Sequence, residues 1–210
     1  MQNQSSNQNL NTLRHSTQHI LQLVVEKLTT AKKVMGPAID NGFYGDFDGK
    51  ITEQDLPIIQ KEMVKVINKN LPIQTSTIDY QSAKQLFLDN SFKLQIIEEI
   101  NNKGEKIGIC TIGSEGAEYY DIDRCAGPHI QSTGQINPKA IKLLNIAGAY
   151  WRGNENNKML TRIYGTVFNT KQELDEYLKY LEESKKYDHR ELNKVLDIFT
   201  TSELVGKGLI

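Results

Sequence analysis

Three of the chain's four histidines and one of its two cysteines fall into two short segments. The first is Arg14-His15-Ser16-Thr17-Gln18-His19, and the second is Asp123-Arg124-Cys125-Ala126-Gly127-Pro128-His129. In each segment the reactive side chains, His15 with His19 and Cys125 with His129, are four residues apart. Imidazoles at that spacing project in parallel from one edge of a helix. If the segments converge, His15, His19, Cys125 and His129 form a ligand set that zinc takes tetrahedrally. Asp123 is then placed to hold an imidazole tautomer from behind. The same groups can work without metal, because imidazoles near neutral pKa serve as acid or base. Cys125 can act as a hydrogen-bond partner or as a nucleophile. If the segments stay apart, the histidines are ordinary groups on a wet surface.

Lys93 is a further candidate, set among Phe92, Leu94, Ile96 and Ile97. A lysine there can stabilise a developing oxyanion, although spacing alone favours a snorkelling side chain at a sheet rim. Tyr44, Tyr119 and Tyr120 could stack on a base, but such residues are more often core or rim. Arg152, Lys158 and Arg162 form a basic cluster around the polar connection 152–157. It either touches phosphates or is simply solvated. Cys110 reads as a core thiol.

The elements that must position these groups follow from periodicity. Apolar residues at three- and four-residue steps predict a helix over 13–28, with Leu13, Thr17, Ile20, Leu21, Val24 and Leu28 inward. A loop and then a strand are expected over 34–48. A second helix over 52–70 should begin in earnest near Asp55, because Pro57 is tolerated only in a first turn. A strand over 71–78, a short helix capped by Asp79, and an ambiguous apolar segment at 91–100 come next. Strand pairs are expected at 106–112 with 117–122, and at 140–151 with 159–168. Thr170-Lys171-Gln172-Glu173 is a capping box that opens a long charged helix with Leu174, Tyr177, Leu178, Leu181, Leu192 and Leu196 inward. The fold class expected is α+β: a mixed, largely antiparallel sheet packed with helices, plus a long C-terminal linker helix.

Bulk properties narrow the function classes. The 210 residues suffice for one generous domain with an extension. Hydrophobic residues make up 38% and charged residues 24%, a globular balance, and the mean hydropathy is -0.50. No apolar run approaches the roughly 18 residues that a membrane span needs. A net charge of -1 gives no global attraction to nucleic acid, so an RNA partner needs a local patch. Two cysteines are too few for a disulfide framework, which points to a reducing, cytoplasmic setting. The Gln/Asn/Ser-rich start reads as a disordered tail, not a signal peptide.

Four motifs resemble the editing region of threonyl-tRNA synthetase, its second additional domain. They are Arg14-His15-Ser16-Thr17-Gln18-His19; Ile39-Asp40-Asn41-Gly42-Phe43-Tyr44; Cys125-Ala126-Gly127-Pro128-His129; and Ala147-Gly148-Ala149-Tyr150-Trp151-Arg152-Gly153 with 157–166 after it. The resemblance runs over 13–209 in the family's order, and 185–192 resembles the linker to its catalytic core. Alanyl-tRNA synthetases and their free-standing editing relatives share the two His/Cys segments. They usually carry Cys-Gly-Gly-Thr-His at the second, and the Trp151 hairpin also favours the threonyl branch.

The resemblance implies hydrolysis of serine wrongly esterified to threonine tRNA. A synthetic pocket rejects a missing methylene by only about 1–3 kcal/mol, so a second, smaller site supplies the remaining discrimination. Carried over residue by residue, His15, His19, Cys125 and His129 line the pocket, with Lys93 and Asp123 beside them. Water attacks the ester carbonyl. Lys93 positions or activates that water or stabilises the oxyanion, and His15 manages a proton at the ribose hydroxyl of the terminal adenosine. No cofactor is required on this reading. Zinc stays open, since the alanyl relatives bind it and the threonyl pocket is generally described as working without it. The partners implied are the 3′ end of threonine tRNA and the rest of a threonyl-tRNA synthetase, with no membrane.

The domain reading is a disordered tail at 1–11, an editing domain at 12–169, a linker helix at 170–198 and a stub at 199–210 leading towards a class II core. The family's N-terminal ubiquitin-like domain, catalytic core and anticodon-binding domain have no counterpart here, so the chain by itself is not expected to activate threonine. Gly45 replaces a second tyrosine often found after Gly-Phe-Tyr, which is expected to change the pocket wall. The alternatives are a catalytically silent tRNA-binding fragment and an alanyl-type editing protein with zinc.

Overall fold

The structure is a computed structural model that describes residues 2–186. Its first element, helix α1, spans Gln2–Leu28. This corrects the tail expected at 1–11, which is helical from Gln2. No Gly or Pro occurs between positions 2 and 31, and Gln is a good helix former, so nothing in that polar stretch stops the helix. Leu13, Thr17, Ile20, Leu21 and Val24 are buried as the periodicity predicts, but Leu28 is 40% exposed where the helix ends. Ser16, Gln18, His19 and Gln22 are buried too. The central turns of α1 are therefore enclosed nearly all round, which a single apolar stripe does not announce.

The strands, in chain order, are β1 (Lys32–Met35), β2 (Ala38–Ile39), β3 (Gly42–Asp48), β4 (Ile73–Ile78), β5 (Ile107–Gly113), β6 (Tyr120–Arg124), β7 (Ile141–Tyr150) and β8 (Met159–Val167). They form two antiparallel sheets, a five-stranded one ordered β1-β3-β8-β7 with β2 on β3, and a three-stranded one ordered β4-β5-β6. Phe43 and Phe47 of β3 and Ile163 of β8 are fully buried in the same core as α1. Helix α2, Leu56–Asn68, buries Leu56, Ile59, Met63, Val66 and Ile67 in that core. A short 3-10 turn, Glu53–Asp55, precedes it and leaves Pro57 in the first turn, where its missing N–H costs nothing.

Helix α3, Tyr80–Leu86, is capped by the Asp79 carboxylate, which accepts the Ser82 N–H at 3.0 Å. The ambiguous segment resolves as helix α4, Ser91–Asn102, capped by Asn90. In helix α5, Lys171–Lys186, the capping box closes reciprocally: Thr170 N–H donates to Glu173 Oε2 at 2.9 Å and Glu173 N–H to Thr170 Oγ1 at 3.2 Å. Leu174 is buried, and Tyr177 stacks on Phe168 with ring centroids 5.3 Å apart, so the start of α5 docks on the body. The end of the linker reading, with Leu192 and Leu196, and the stub at 199–210 lie outside the described residues. The α+β class and the antiparallel pairing stand as expected.

Candidate active site

The two His/Cys segments meet. The loop after β6 folds back onto α1 and is tied there by side chains of the first segment. Ser16 Oγ accepts the Ile130 N–H at 3.1 Å. Cys125 Sγ lies 3.2 Å from His15 Nε2, and Pro128 O lies 3.3 Å from His15 Nδ1. With Nδ1–H donating to that carbonyl, Nε2 carries the lone pair and accepts the Cys125 S–H, which sets the His15 tautomer. The approach is close enough to require glycine, since a Cβ at Gly127 would sit 2.3 Å from His15 Cε1. The His129 ring is 4.5 Å from that of His15 and 5.0 Å from that of His19, centroid to centroid.

Lys93 completes the cluster. It is 3% exposed, and its Nζ lies 2.6 Å from Asp123 Oδ1. The snorkelling expected from spacing alone is thus overturned, because a buried carboxylate receives the ammonium. Asp123 Oδ2 approaches His19 Nδ1 at 3.5 Å, and Asp123 Oδ1 also accepts the Arg124 N–H at 2.8 Å. Helix α4 is held in place for this. Asn90 Oδ1 accepts the Lys93 N–H at 3.1 Å, while Asn90 Nδ2 donates to Lys33 O in β1 at 2.7 Å. Trp151, at the end of the β7–β8 hairpin, packs edge-on against Phe92 at 5.2 Å and donates from Nε1 to Gln95 Oε1 at 3.2 Å.

One cavity of about 300 Å³ is lined by His15, Gln18, His19, Lys93, Asp123 and Cys125 together with Met35, Gly36 and Pro37; His129, expected in its wall, is not among the lining residues and packs on the His15 and His19 rings instead. Behind the cavity, Lys33 is buried on Asp121 and also donates to Ile122 O at 3.0 Å, so each of the two buried β6 carboxylates, Asp121 and Asp123, has its own lysine.

Burial governs the titration of the cluster. It pushes His15 down, pushes His19 well below the usual imidazole range, and brings His129 to about 4, where neighbouring His15 also disfavours a proton. Burial alone would raise Asp123, but Lys93, Lys33 and His19 hold it at about 2. Burial raises the Cys125 thiol, so the sulfur is a hydrogen-bond group and not a ready nucleophile. A pH dependence follows. Between the ordinary imidazole value of 6.5 and about 4, the unfolded chain binds protons that native His129 refuses. Stability therefore rises with pH in that window and falls as acid is added. A second loss is expected between 3.8 and about 2 as Asp123 is protonated. Urea midpoints that stay level from neutrality down to pH about 4 would contradict this.

Other candidate residues stand elsewhere. Tyr119 is a core residue, 4% exposed, with its hydroxyl donating to Glu62 Oε1 at 2.8 Å. Tyr120 lines a different cavity, beside Lys33 and Asp89. Tyr44 lies under Arg162, 3.8 Å from guanidinium carbon to ring centroid, and Arg162 is bidentate to Asp46 at 2.6 and 2.8 Å. Arg152 pairs with Glu99 at 2.5 Å and Lys158 with Asp48 at 2.7 Å. The basic cluster is therefore matched by carboxylates and is not a free positive patch. Gly45 faces inward, where a Cβ would meet Phe47 at 2.9 Å and Leu21 at 3.3 Å, so it does not alter the cavity wall as expected. Cys110 is a buried free thiol, as read. Gln18 and Arg124 also line the cavity and were not picked out from the sequence, where neither type at that spacing signals chemistry.

Residues 107–164, from β5 through most of β8, match the Threonyl and Alanyl tRNA synthetase second additional domain. The similarity is to threonyl-tRNA synthetase. A threonine–tRNA ligase of Thermotoga neapolitana is 48% identical over 202 residues, which are 93% of this chain and 30% of that protein. One of Clostridium tetani is 49% identical over 197 residues, 91% of this chain and 29% of that protein. The chloroplastic/mitochondrial threonine–tRNA ligase 2 of Arabidopsis thaliana is 42% identical over 212 residues, 99% of this chain and 31% of that protein. The chain thus spans about 30% of the length of the curated relatives it matches. Among the described residues no helix is long and apolar enough to cross a membrane.

Proposed function

We propose that this chain is the editing hydrolase region of a threonyl-tRNA synthetase, releasing serine from wrongly charged threonine tRNA in the cytoplasm. The observation that carries this reading is the meeting of His15, His19 and Cys125 with the buried Lys93–Asp123 pair at one cavity, with His129 packed against the two histidines. The substrate is an ester between an amino acid and the ribose of the terminal adenosine. Water adds to its carbonyl carbon, and negative charge develops on the carbonyl oxygen. Lys93, buried and held by Asp123, is placed to stabilise that charge. The carbon–oxygen bond to the ribose then breaks, and the ribose oxygen takes up a proton. His15 moves that proton: its neutral Nε2, beside the Cys125 thiol, takes it from the attacking water and passes it to the departing ribose oxygen.

The four His and Cys side chains also fit a zinc ion. Their ligand atoms lie within 4.8 Å of one another, and neither ring nitrogen of His19 or His129 has a hydrogen-bond partner among the described residues. A bound zinc would supply Lewis acidity there. The proton role above needs His15 unligated, so added zinc is expected to slow serine release in a dose-dependent way. Release that rises with zinc and stops with a chelator would reverse this expectation.

The test is deacylation of seryl- and threonyl-charged threonine tRNA by the chain. Serine should be released in preference, and Lys93→Ala should lower the rate by about 10²–10³-fold while tRNA binding persists. Binding without preferential release of serine would mean a silent fragment and would sink the proposal.

A further inference from the structure

Gln18 lies on α1 one residue before His19, and the mechanism above gives it no part. It is 1% exposed and lines the cavity with His15, Lys93 and Asp123. Its Nε2 has no hydrogen-bond partner among the described residues. The side chain is lodged where the Gly36–Pro37 turn crosses α1. A Cβ at Gly36 would stand 2.2 Å from Gln18 Nε2 and 2.4 Å from Tyr44 O, so only glycine leaves the carboxamide its place. Of the other polar groups of the wall, Asp123 is engaged with Lys93 and Cys125 with His15, whereas the ring nitrogens of His19 and Arg124 Nε also lack a hydrogen-bond partner among the described residues. A buried donor without a partner destabilises a fold. An apolar side chain of the same length would fill the space without that cost.

We propose that Gln18 is a ligand-binding residue, its carboxamide N–H donating to an acceptor oxygen of the aminoacyl-ribose ester. The group suits that task. It is neutral, so it adds no charge beside Lys93, and it donates where the ester offers carbonyl and hydroxyl oxygens. It is anchored on the same helix as His15 and His19, one residue from the cluster, so a ligand gripped by Gln18 is held in register with the reacting groups. The identity of the ligand rests on the editing reading. The unpaired donor in the wall does not.

The experiment uses the whole chain and a non-hydrolysable probe, seryl-adenosine with an amide in place of the ester. Binding is followed by calorimetry and the thermal midpoint is measured in parallel. Gln18→Met keeps the length and removes the donor. It should bind the probe about tenfold more weakly, the factor expected for one hydrogen bond to a neutral acceptor. Its midpoint should equal or exceed that of the parent, because the unpaired donor is gone. In turnover the loss should appear in KM more than in kcat. Gln18→Glu, which places an acceptor where a donor is needed, should lose binding likewise and serves if the methionine variant does not fold. Binding that is unchanged in both variants overturns the inference. So does a midpoint that falls along with binding, since that marks a merely structural side chain. A parent chain that neither binds the probe nor releases serine sinks the editing reading and this inference with it. A parent that does both, with Gln18→Met indistinguishable from it, sinks the inference alone.

Discussion

Asp123→Asn is expected to unfold the chain more readily than any other single change in the pocket and, on the proposed function, to slow serine release strongly. Asp123 is 2% exposed and Lys93 3%, with 2.6 Å between their charged atoms. Asparagine keeps the size and removes the charge, which leaves the Lys93 ammonium buried without a counterion. Breaking such a pair costs about 3–5 kcal/mol. The lysine then either gives up its proton or swings out, and α4 yields at its N-terminal turn. On the proposed function both routes take away the cation assigned to the oxyanion, so release should fall by about 10²–10³-fold. Urea unfolding and single-turnover deacylation check the two halves. A double variant, Lys93→Met with Asp123→Leu, separates them. An apolar pair of similar volume is often neutral or stabilising, so stability should return while activity stays lost. If Asp123→Asn were as stable as the parent, the pair would not be the buried anchor described here.

That pair also shows where sequence reading stops. The His/Cys convergence was legible because four residues of two types that are rare in this chain recur at one spacing. The caps were legible because Asp79, Thr170 and Glu173 act on backbone groups within three residues of themselves. Lys93 was not legible by spacing. Its neighbours Phe92 and Ile97 describe only α4, whereas its burial depends on Asp123, which arrives from β6 thirty positions later. Only the family resemblance had put it in the pocket.

Arg162 and Tyr119 differ in the opposite sense. Each is a type that suits RNA, yet each is consumed by a partner distant in sequence, Asp46 and Glu62. Gly45 was expected to reshape the pocket, and instead Phe47 fills the space that its side chain would take against α1. Gln18 carried no signal, because a glutamine on a helix flank is ordinarily solvated. It becomes informative only once Gly36 and the cavity are seen around it.

Gly127→Ala is the second change with a large expected effect, and its mechanism is steric. Gly127 does not need a positive φ, so alanine meets no backbone penalty there. Its Cβ would nonetheless lie 2.3 Å from His15 Cε1 and 2.6 Å from Nδ1. The ring is not a flexible tip that can swing aside, since Cys125 and Pro128 hold its two nitrogens. The loop cannot easily lift either, because Ile130 N–H is bonded to Ser16 Oγ on α1. The relief left is rotation of the imidazole away from the cysteine, which spoils the tautomer and aims Nε2 out of line. Misplacement by about 1 Å can cost about 10²-fold in rate, whereas overpacking one methyl costs about 1–3 kcal/mol of stability. The expected result is therefore a folded chain with its serine release lost by about two orders of magnitude and an imidazole resonance shifted for His15. Adding His15→Ala to Gly127→Ala should restore the stability and none of the rate. A Gly127→Ala chain that edits like the parent would show that His15 is not held by this contact and that the loop is softer than its hydrogen bonds imply.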